Sequence, residues 1–272
     1  MLRRISFTYN QAIVRTPPRS CVGGLRANGA GAPNFDLYLQ QHAMYVAALE
    51  KHNVSVIVLP ALEKFPDCMF VEDTALCLPQ GAVILKTATP SRIGEVDMVR
   101  VALQQIYGER CVELPQRGEF TNAYIEGGDI LVTDREIIVG LSRRTNLAGV
   151  NALRMCVKDW GFEVRIVETP QHVLHFKSGS AVLDDGVIIC TVNLASSNVF
   201  KGYDLLIVPD DEEVPATVLR VNRTVFMVAG YPKTKRALEM SGYRVHILDM
   251  SEAAKLDGGL SCMSLRFDVG KF

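Results

Sequence analysis

Short runs rich in Val, Ile and Leu recur along the whole chain and are bounded by Gly, Pro or Asp. Runs of this length and composition are typical of β-strands. The pattern predicts strands at Ser55 to Leu59, Met69 to Leu78, Ala82 to Lys86, Asp129 to Val132, Glu136 to Gly140, Val164 to Val167, Gly186 to Thr191, Leu205 to Val208, Thr224 to Val228 and Tyr243 to Leu248. The segment from Ile5 to Arg15 is also expected to be β-structure.

Between these runs, apolar residues recur at the spacing of one helix face, which predicts amphipathic helices. The helices are expected at Phe35 to His52, Gly94 to Tyr107, Asn146 to Trp160 and Lys233 to Ser241. In the first of them, Leu39, Ala43 and Val46 lie on one face. Asn146 follows a polar stretch and is expected to be either the cap or a first-turn residue of the third helix.

Neighbouring strands followed by one helix form a unit that recurs about every 50 residues. Such a unit cannot bury its own apolar face, so several units must share a core, either as a ring or as a wound sheet. No Pro- or Ser-rich linker and no block of charge divides the units. The sequence therefore predicts a single α/β domain spanning residues 1–272.

The charge balance argues against polyanionic partners. The chain has 29 Lys and Arg residues and 30 Asp and Glu residues, which gives a formal net charge of −1. Without a basic surplus to neutralise phosphates or anionic lipids, neither nucleic acid nor a membrane surface is an expected partner. No apolar run approaches the roughly 18 residues of a membrane span.

The seven cysteines form an odd set with no CxxC pair, which a disulfide framework does not explain. The set favours a reduced compartment, and we expect a cytoplasmic protein. The N-terminus lacks the apolar segment of a secretory signal, but its five arginines before the first acid, Asp36, leave an organellar transit peptide as the alternative. The Gly-Ala-Gly stretch at residues 29–31 lacks the third glycine of a dinucleotide fingerprint, so no nucleotide cofactor is expected.

An adjacent pair of carboxylates, Glu72 and Asp73, interrupts an apolar segment from Phe65 to Cys77. Burying unpaired carboxylates is costly, so either a cationic side chain or a cationic ligand should meet them. On a strand the two side chains would point to opposite faces and need not contact the same group. A salt bridge to an arginine at the end of the strand is the simpler alternative.

Two Gly-Gly segments carry further polar residues. Glu126 precedes the first Gly-Gly pair, where the backbone can approach other groups closely. The second pair is followed by an expected strand with Cys262 near its start. A lone cysteine in a strand is more often a small buried apolar residue than a nucleophile. A nucleophilic role requires a proton shuttle, and His175 is the best candidate among the five histidines.

Five segments, taken together and in order, resemble the dimethylarginine dimethylaminohydrolases, a family of the guanidine-modifying, arginine-deiminase-like superfamily. The segments are Phe-Val-Glu-Asp-Thr-Ala at 70–75, Glu-Gly-Gly-Asp at 126–129, Gly-Leu-Ser-Arg-Arg-Thr-Asn at 140–146, Leu-His-Phe-Lys-Ser at 174–178 and Asp-Gly-Gly-Leu-Ser-Cys at 257–262. The resemblance covers almost the whole chain. It implies a five-bladed α/β propeller with pseudo-fivefold symmetry, which suits the repeat.

The resemblance also implies the site residues, with no metal and no cofactor. The family's nucleophile falls on Cys262, its general acid and base on His175, and the carboxylate associated with that histidine on Glu126. Its substrate contacts fall on Leu25, Asp67, Glu72, Asp73, Arg92, Arg144, Leu256 and Asp257. Carboxylates would bind a cationic head or amino group and the arginines an α-carboxylate, which describes an amino acid with a cationic tail.

The implied reaction cleaves the guanidine C–N bond of a methylated arginine to give citrulline and an alkylamine through a covalent cysteine intermediate. Glu126 stands where some members carry Asp, and Ser261 where Thr is common, which leaves the substrate preference open. An arginine deiminase and a citrulline-type ureido hydrolase are the alternatives within the superfamily, and a propeller-fold binding protein is the alternative without catalysis. The expected partner is a small molecule, and a homodimer stays open.

Overall fold

The computed structural model describes residues 5–27, 29–170 and 173–270. Its helices are α1 (Phe35–Lys51), α2 (Asp97–Tyr107), α3 (Leu147–Val157), α4 (Val192–Ser196), α5 (Pro232–Met240) and α6 (Ser251–Ala254). Its strands are β1 (Gln11–Arg15), β2 (Ser55–Leu59), β3 (Ala75–Leu78), β4 (Gly81–Ile84), β5 (Cys111–Glu113), β6 (Ile130–Val132), β7 (Glu136–Leu141), β8 (Glu163–Glu168), β9 (Ser180–Asp184), β10 (Val187–Cys190), β11 (Asp204–Ile207), β12 (Leu219–Val221), β13 (Thr224–Val228), β14 (Arg244–Leu248) and β15 (Leu265–Phe267). In the described ranges, no helix is long and apolar enough to cross a membrane.

The strands form five three-stranded sheets of one design, the blades of a propeller. In each blade the middle strand pairs antiparallel with one neighbour and parallel with the other; β4, for example, pairs antiparallel with β3 and parallel with β5. A parallel pair requires a crossover connection, and here α2 provides it. Helices α1, α3, α4 and α5 occupy the corresponding place in the other blades. The five-bladed α/β propeller is therefore confirmed, and the repeat is the blade.

The two ends of the chain close the ring. In the first blade, β1 pairs parallel with β2, but its antiparallel neighbour is β15, the last strand. The backbone N–H of Asn10 donates to the carbonyl of Phe267 at 3.1 Å. The first blade therefore contains residues from both ends of the chain.

The apolar core lies between neighbouring blades. Ile13 of the first blade packs in one cluster with Ile84 of the second, and Leu183 of the fourth blade packs with Val225 of the fifth. The other three clusters join the remaining neighbours in the same way. Each blade therefore completes its core only with the blades on either side.

The strand predicted from Met69 to Leu78 is wrong over its first part. Residues Val71–Thr74 form a 3-10 turn, and β3 begins at Ala75. The Glu72 and Asp73 side chains in this turn bind charged groups from distant segments, and these contacts outweigh the strand preference of the apolar neighbours. The two carboxylates consequently do not alternate across a strand.

The strand expected to start near Cys262 is also misplaced, because Cys262 lies in a turn and β15 begins only at Leu265. The carbonyl of Cys262 accepts a hydrogen bond from the backbone N–H of Glu72 at 3.1 Å. This contact joins the two turns outside the sheet.

The predicted cap is confirmed, since the Asn146 side chain accepts a hydrogen bond from the N–H of Gly149 at 2.8 Å.

Candidate active site

Two adjoining cavities contain Cys262 and His175 in their walls. The first has a volume of about 210 Å³ and includes nine of the residues predicted from the sequence: Leu25, Asp67, Asp73, Arg92, Arg144, His175, Leu256, Asp257 and Cys262. The second has a volume of about 450 Å³ and includes Glu72. Glu126 lies behind His175. The fold thus brings all of the predicted site residues to one region.

The turns that carry these residues occupy equivalent places in different blades. Asp73 lies in the turn before β3, and Glu126 precedes the turn before β6. In the same way His175 precedes the turn before β9, and Cys262 lies just before β15. Because blades repeat around one axis, equivalent turns meet near that axis although they are far apart in sequence.

His175 and Glu126 form a buried ion pair, with 2.8 Å between His175 Nε2 and Glu126 Oε2. Burial alone lowers the pKa of His175, but Asp73 and the hydrogen bond to Glu126 raise it to about 9. Burial raises the pKa of Glu126, but the hydrogen bond from His175 and the charge of Arg92 lower it to about 2. At neutral pH the site therefore holds an imidazolium beside a carboxylate.

Gly128 brings the backbone directly against the imidazole. A Cβ at this position would lie 2.6 Å from His175 Cγ, so no side chain fits there. Its N–H donates to Asp73 Oδ1 at 2.8 Å. The Gly-Gly pair thus holds the His175 and Asp73 segments close together.

Asp129 is a buried carboxylate that sequence reasoning placed at the start of a strand and at the end of the Glu-Gly-Gly-Asp segment, without assigning it a role in the site. Its Oδ1 accepts the N–H of Phe176 at 2.8 Å, and its Oδ2 accepts the hydroxyls of Ser142 and Thr145 at 2.6 and 2.7 Å. These bonds fix the segment next to His175. The signal available in the sequence was an acid opening an apolar strand, whose burial requires several donors.

Cys262 is half-buried, and its sulfur accepts the N–H of Gly259 at 3.4 Å. Burial and the nearby carboxylates Glu72 and Asp73 raise the pKa of the thiol to about 12. The unliganded site therefore holds a neutral thiol. A cation placed near these carboxylates would oppose their effect and favour the thiolate.

Asp67 and Asp257 hold the Leu25 segment over the first cavity. Asp67 Oδ1 accepts the N–H of Leu25 at 3.0 Å, and Asp257 Oδ2 accepts the N–H of Ala27 at 2.5 Å. Burial raises the pKa of Asp67. Leu256 is buried beside them, and its side chain packs against the position of Gly24. These contacts tie the covering segment to the cavity wall.

The two arginines differ in how far their N–H groups are already used. Arg92 is buried and donates to Asp73, Glu95 and the carbonyl of Phe70, which occupies four of its five N–H groups. Arg144 donates to the Thr89 hydroxyl and, at 3.5 Å, to Oε1 of Glu126. Within the described residues, Arg144 is therefore better able to bind a carboxylate from outside. The partner Glu95 was missed, although its spacing from Arg92 is that of a helical ion pair.

Glu72 is held by two cations that sequence reasoning did not assign to it. Its Oε1 accepts from Lys177 Nζ at 2.7 Å and from Arg266 Nη2 at 3.0 Å. Its Oε2 accepts the hydroxyl of Ser261 at 3.0 Å. Asp73 in turn pairs with Arg92 at 2.7 Å. Both carboxylates of the adjacent pair thus meet cationic side chains, as the simpler alternative anticipated.

Oxygen and nitrogen atoms of Asp73, Glu126 and His175 lie within 4.8 Å of one another, a spacing that a metal ion could bridge. Arg92 already neutralises Asp73, and the raised pKa of His175 makes this histidine a cation. Metal binding needs a neutral imidazole and free carboxylates. The cluster fits an ion-pair network better than a metal centre.

Comparison with known proteins gives several matches of high coverage. A family model described as "N,N dimethylarginine dimethylhydrolase, eukaryotic" matches residues 34–198. The N(G),N(G)-dimethylarginine dimethylaminohydrolase of Pseudomonas aeruginosa is 35% identical over 95% of this chain and 100% of its own length. The protein of the same name from Streptomyces coelicolor is 31% identical over 94% of this chain and 96% of its own length.

Solved structures agree with the sequence matches. The dimethylarginine dimethylaminohydrolase of P. aeruginosa, as a mutant complexed with citrulline, superposes with a TM-score of 0.91 at 34% identity, over 96% of this chain and 100% of that one. The N-terminal domain of a cyanobacterial arginine dihydrolase superposes with a TM-score of 0.80 at 18% identity, over 95% of this chain and 98% of that one, which shows a shared fold alone. The family model and the two bacterial relatives show that this chain belongs to the dimethylarginine dimethylaminohydrolase family.

Proposed function

We propose that this protein hydrolyses the guanidine C–N bond of Nω-methylated L-arginine and releases citrulline and methylamine or dimethylamine. The observation that carries the proposal is a single cavity with a thiol, an imidazolium, carboxylates and Arg144 in its walls. The relative from P. aeruginosa, which carries the name of this activity and has been solved with citrulline, supports it.

In this proposal the substrate lies across the first cavity. Arg144, together with the remaining N–H of Arg92, binds the α-carboxylate by charge-assisted hydrogen bonds. The carboxylates Asp67 and Asp73, the carbonyl of Leu256 and the covering segment at Leu25 surround the cationic parts of the substrate. Asp257 acts by holding that segment, and Glu72 by supporting the turn that carries Asp73.

Binding of the guanidinium activates Cys262. The cation offsets the charges of Glu72 and Asp73, so the pKa of the thiol falls and its proton leaves to solvent. The thiolate then attacks the guanidinium carbon, forming a C–S bond. His175 donates its proton to the alkylated nitrogen, and the C–N bond breaks with release of the amine.

The second half of the reaction hydrolyses the covalent intermediate, which is an S-alkylthiouronium on Cys262. His175, now neutral, accepts a proton from water, and the resulting hydroxide attacks the carbon of the S-alkylthiouronium. The C–S bond breaks, the hydroxyl proton of the tetrahedral intermediate passes to the Cys262 sulfur, and citrulline leaves. The Cys262 thiol and the imidazolium of His175 are thereby restored. The carboxylate of Glu126 stabilises the imidazolium in each cycle.

A product assay tests the proposal. The protein is incubated separately with dimethylarginine, monomethylarginine, arginine and citrulline, and alkylamine, ammonia, citrulline and ornithine are quantified, with Cys262→Ser as the control preparation. We expect alkylamine and citrulline from the methylated substrates in equal amounts. Faster release of ammonia from arginine would indicate an arginine deiminase, and ornithine from citrulline would indicate a ureido hydrolase; either result would overturn the proposed substrate.

We also propose a cytoplasmic location. The described cysteines are all free, as expected of a protein kept in a reducing compartment.

A further inference from the structure

A third cavity, of about 120 Å³, lies on the propeller axis. Its walls include residues from the strand of each blade that pairs antiparallel with the middle strand, namely β3, β6, β9, β12 and β15. It adjoins the second active-site cavity through Glu72, Lys177 and Ser261, which belong to the walls of both. Neither Cys262 nor His175 contributes to it. We call this space the axial cavity.

The walls of the axial cavity carry an excess of positive charge. Lys177, Arg220 and Arg266 are cations in its lining, and Glu72 is the carboxylate between two of them. Arg220 pairs with Asp184 at 2.7 Å. Three cations thus face two carboxylates, which leaves one positive charge uncompensated within this group.

Other acidic groups in the lining do not supply the missing negative charge. Burial raises the pKa of the Tyr9 phenol and of the Cys77 thiol, so both are neutral at physiological pH. Burial also raises the pKa of Glu72, but Lys177 and Arg266 lower it below its usual value. Glu72 is therefore ionised and is one of the two carboxylates described above. The excess charge of the cavity is therefore a property of the folded chain at neutral pH.

Some hydrogen-bond donors in the same walls have no acceptor in the part of the chain that the structure describes. Arg266 Nε and Ser6 Oγ are buried and have no partner among the described residues. Lys177 Nζ, which has three N–H groups, donates only to Glu72 among them. An unmet buried donor is destabilising, and more so when the group is charged. The cavity has room for an acceptor, since 120 Å³ compares with roughly 30 Å³ per water molecule in the liquid.

We propose that the axial cavity is a binding site for one small monovalent inorganic anion of the halide class, bound by Arg266, Lys177 and the hydroxyl of Ser6. Water would satisfy the donors but would leave the positive charge uncompensated, whereas a halide does both. The site requires neither substrate nor Cys262, so anion binding can be tested independently of the proposed reaction.

Bromide is the probe, because its anomalous scattering distinguishes it from water. Crystals of the wild-type protein grown in sodium bromide should show an anomalous peak in the axial cavity within contact distance of Arg266 Nε and Lys177 Nζ. Only water in the cavity, with no anomalous signal, would overturn the proposal.

Thermal unfolding in solution provides the second readout. At constant ionic strength, replacement of gluconate by bromide should raise the Tm of the wild-type protein to a plateau. Ser6→Leu fills the cavity and should remove this saturable rise, whereas Ser20→Leu, which replaces a buried hydroxyl outside the cavity, should keep it. An equal bromide response in wild type and Ser6→Leu would contradict the assignment.

Discussion

Before the substrate arrives, His175 already carries the proton that the first displacement needs, whereas Cys262 is not yet ionised. His175 has a pKa raised to about 9 and is an acid, whereas Cys262 has a pKa raised to about 12 and is a thiol. The same carboxylate, Asp73, contributes to both shifts. A cationic substrate therefore lowers the pKa of the Cys262 thiol. When the site is empty, the protein does not hold a reactive thiolate.

The activity of the protein should fall as pH rises through about 9, because His175 then loses the proton it must donate. Glu126→Gln removes a hydrogen bond and a charge that raise this pKa, so the basic limb of the kcat/KM profile should move to lower pH. Glu136→Gln, at a carboxylate bound to Arg165, is the control and should leave the limb in place. An unmoved limb in Glu126→Gln would show that another group titrates there.

Arg144 should determine recognition of the α-carboxylate. Arg144→Ala should weaken transition-state binding of methylated arginine by about 2 to 5 kcal/mol, since a desolvated carboxylate loses its partner. Agmatine, which lacks the carboxylate, should be a very poor substrate for the wild type. The exposed neighbour Arg143 provides the matched control, and Arg143→Ala should have little effect. Comparable kcat/KM values for agmatine and arginine derivatives would refute the carboxylate-binding role.

At the scale of elements, the 3-10 turns before β3, β6 and β9 and the turn before β15 build the site. The apolar pattern predicted the longer strands and helices well, because β13 and α1 have enough residues to show a period. It did not predict β5 or β12, which have three residues each and no resolvable alternation. It also missed β9, although that strand is as long as β13. The turn at Glu72 was misassigned because its conformation depends on Lys177 and Arg266, whose positions only the fold determines.

The close approach at Gly128 gives the second test at this scale. Gly128→Ala should displace the imidazole of His175, and a misplacement of about 1 Å costs roughly 100-fold in rate. We expect kcat to fall by about that factor while KM changes less. A Cβ at Gly23 would meet no described atom within 4 Å, so Gly23→Ala is the control and should keep kcat. Full activity in Gly128→Ala would contradict the packing described here.

At the scale of the whole molecule, the ring explains why the site residues are so far apart in sequence. Every apolar cluster joins two blades, and the first blade needs both ends of the chain. The repeat predicted shared cores, but it did not choose between a ring and a wound sheet. The family resemblance made that choice, because ring closure by β15 leaves no local signal in a strand of three residues.

We therefore propose that residues 1–272 fold as one cooperative domain. Chemical unfolding should give one transition, with the same midpoint by far-UV circular dichroism and by the fluorescence of Trp160, the single tryptophan of the chain. Deletion of residues 265–272 should abolish this transition, because it opens the first blade. Two separate transitions in the intact protein would show independent units and contradict the shared-core account.

The central claim is that Cys262 forms a covalent bond to the guanidine carbon of a methylated arginine. Turnover of dimethylarginine should be quenched with acid within the first cycles and the protein digested for mass spectrometry. We expect an adduct on Cys262 with the mass of the substrate minus dimethylamine, at a level that His175→Ala changes, and no adduct in Cys262→Ser. An adduct on Cys68 or Cys77, or undiminished turnover by Cys262→Ser, would contradict the account.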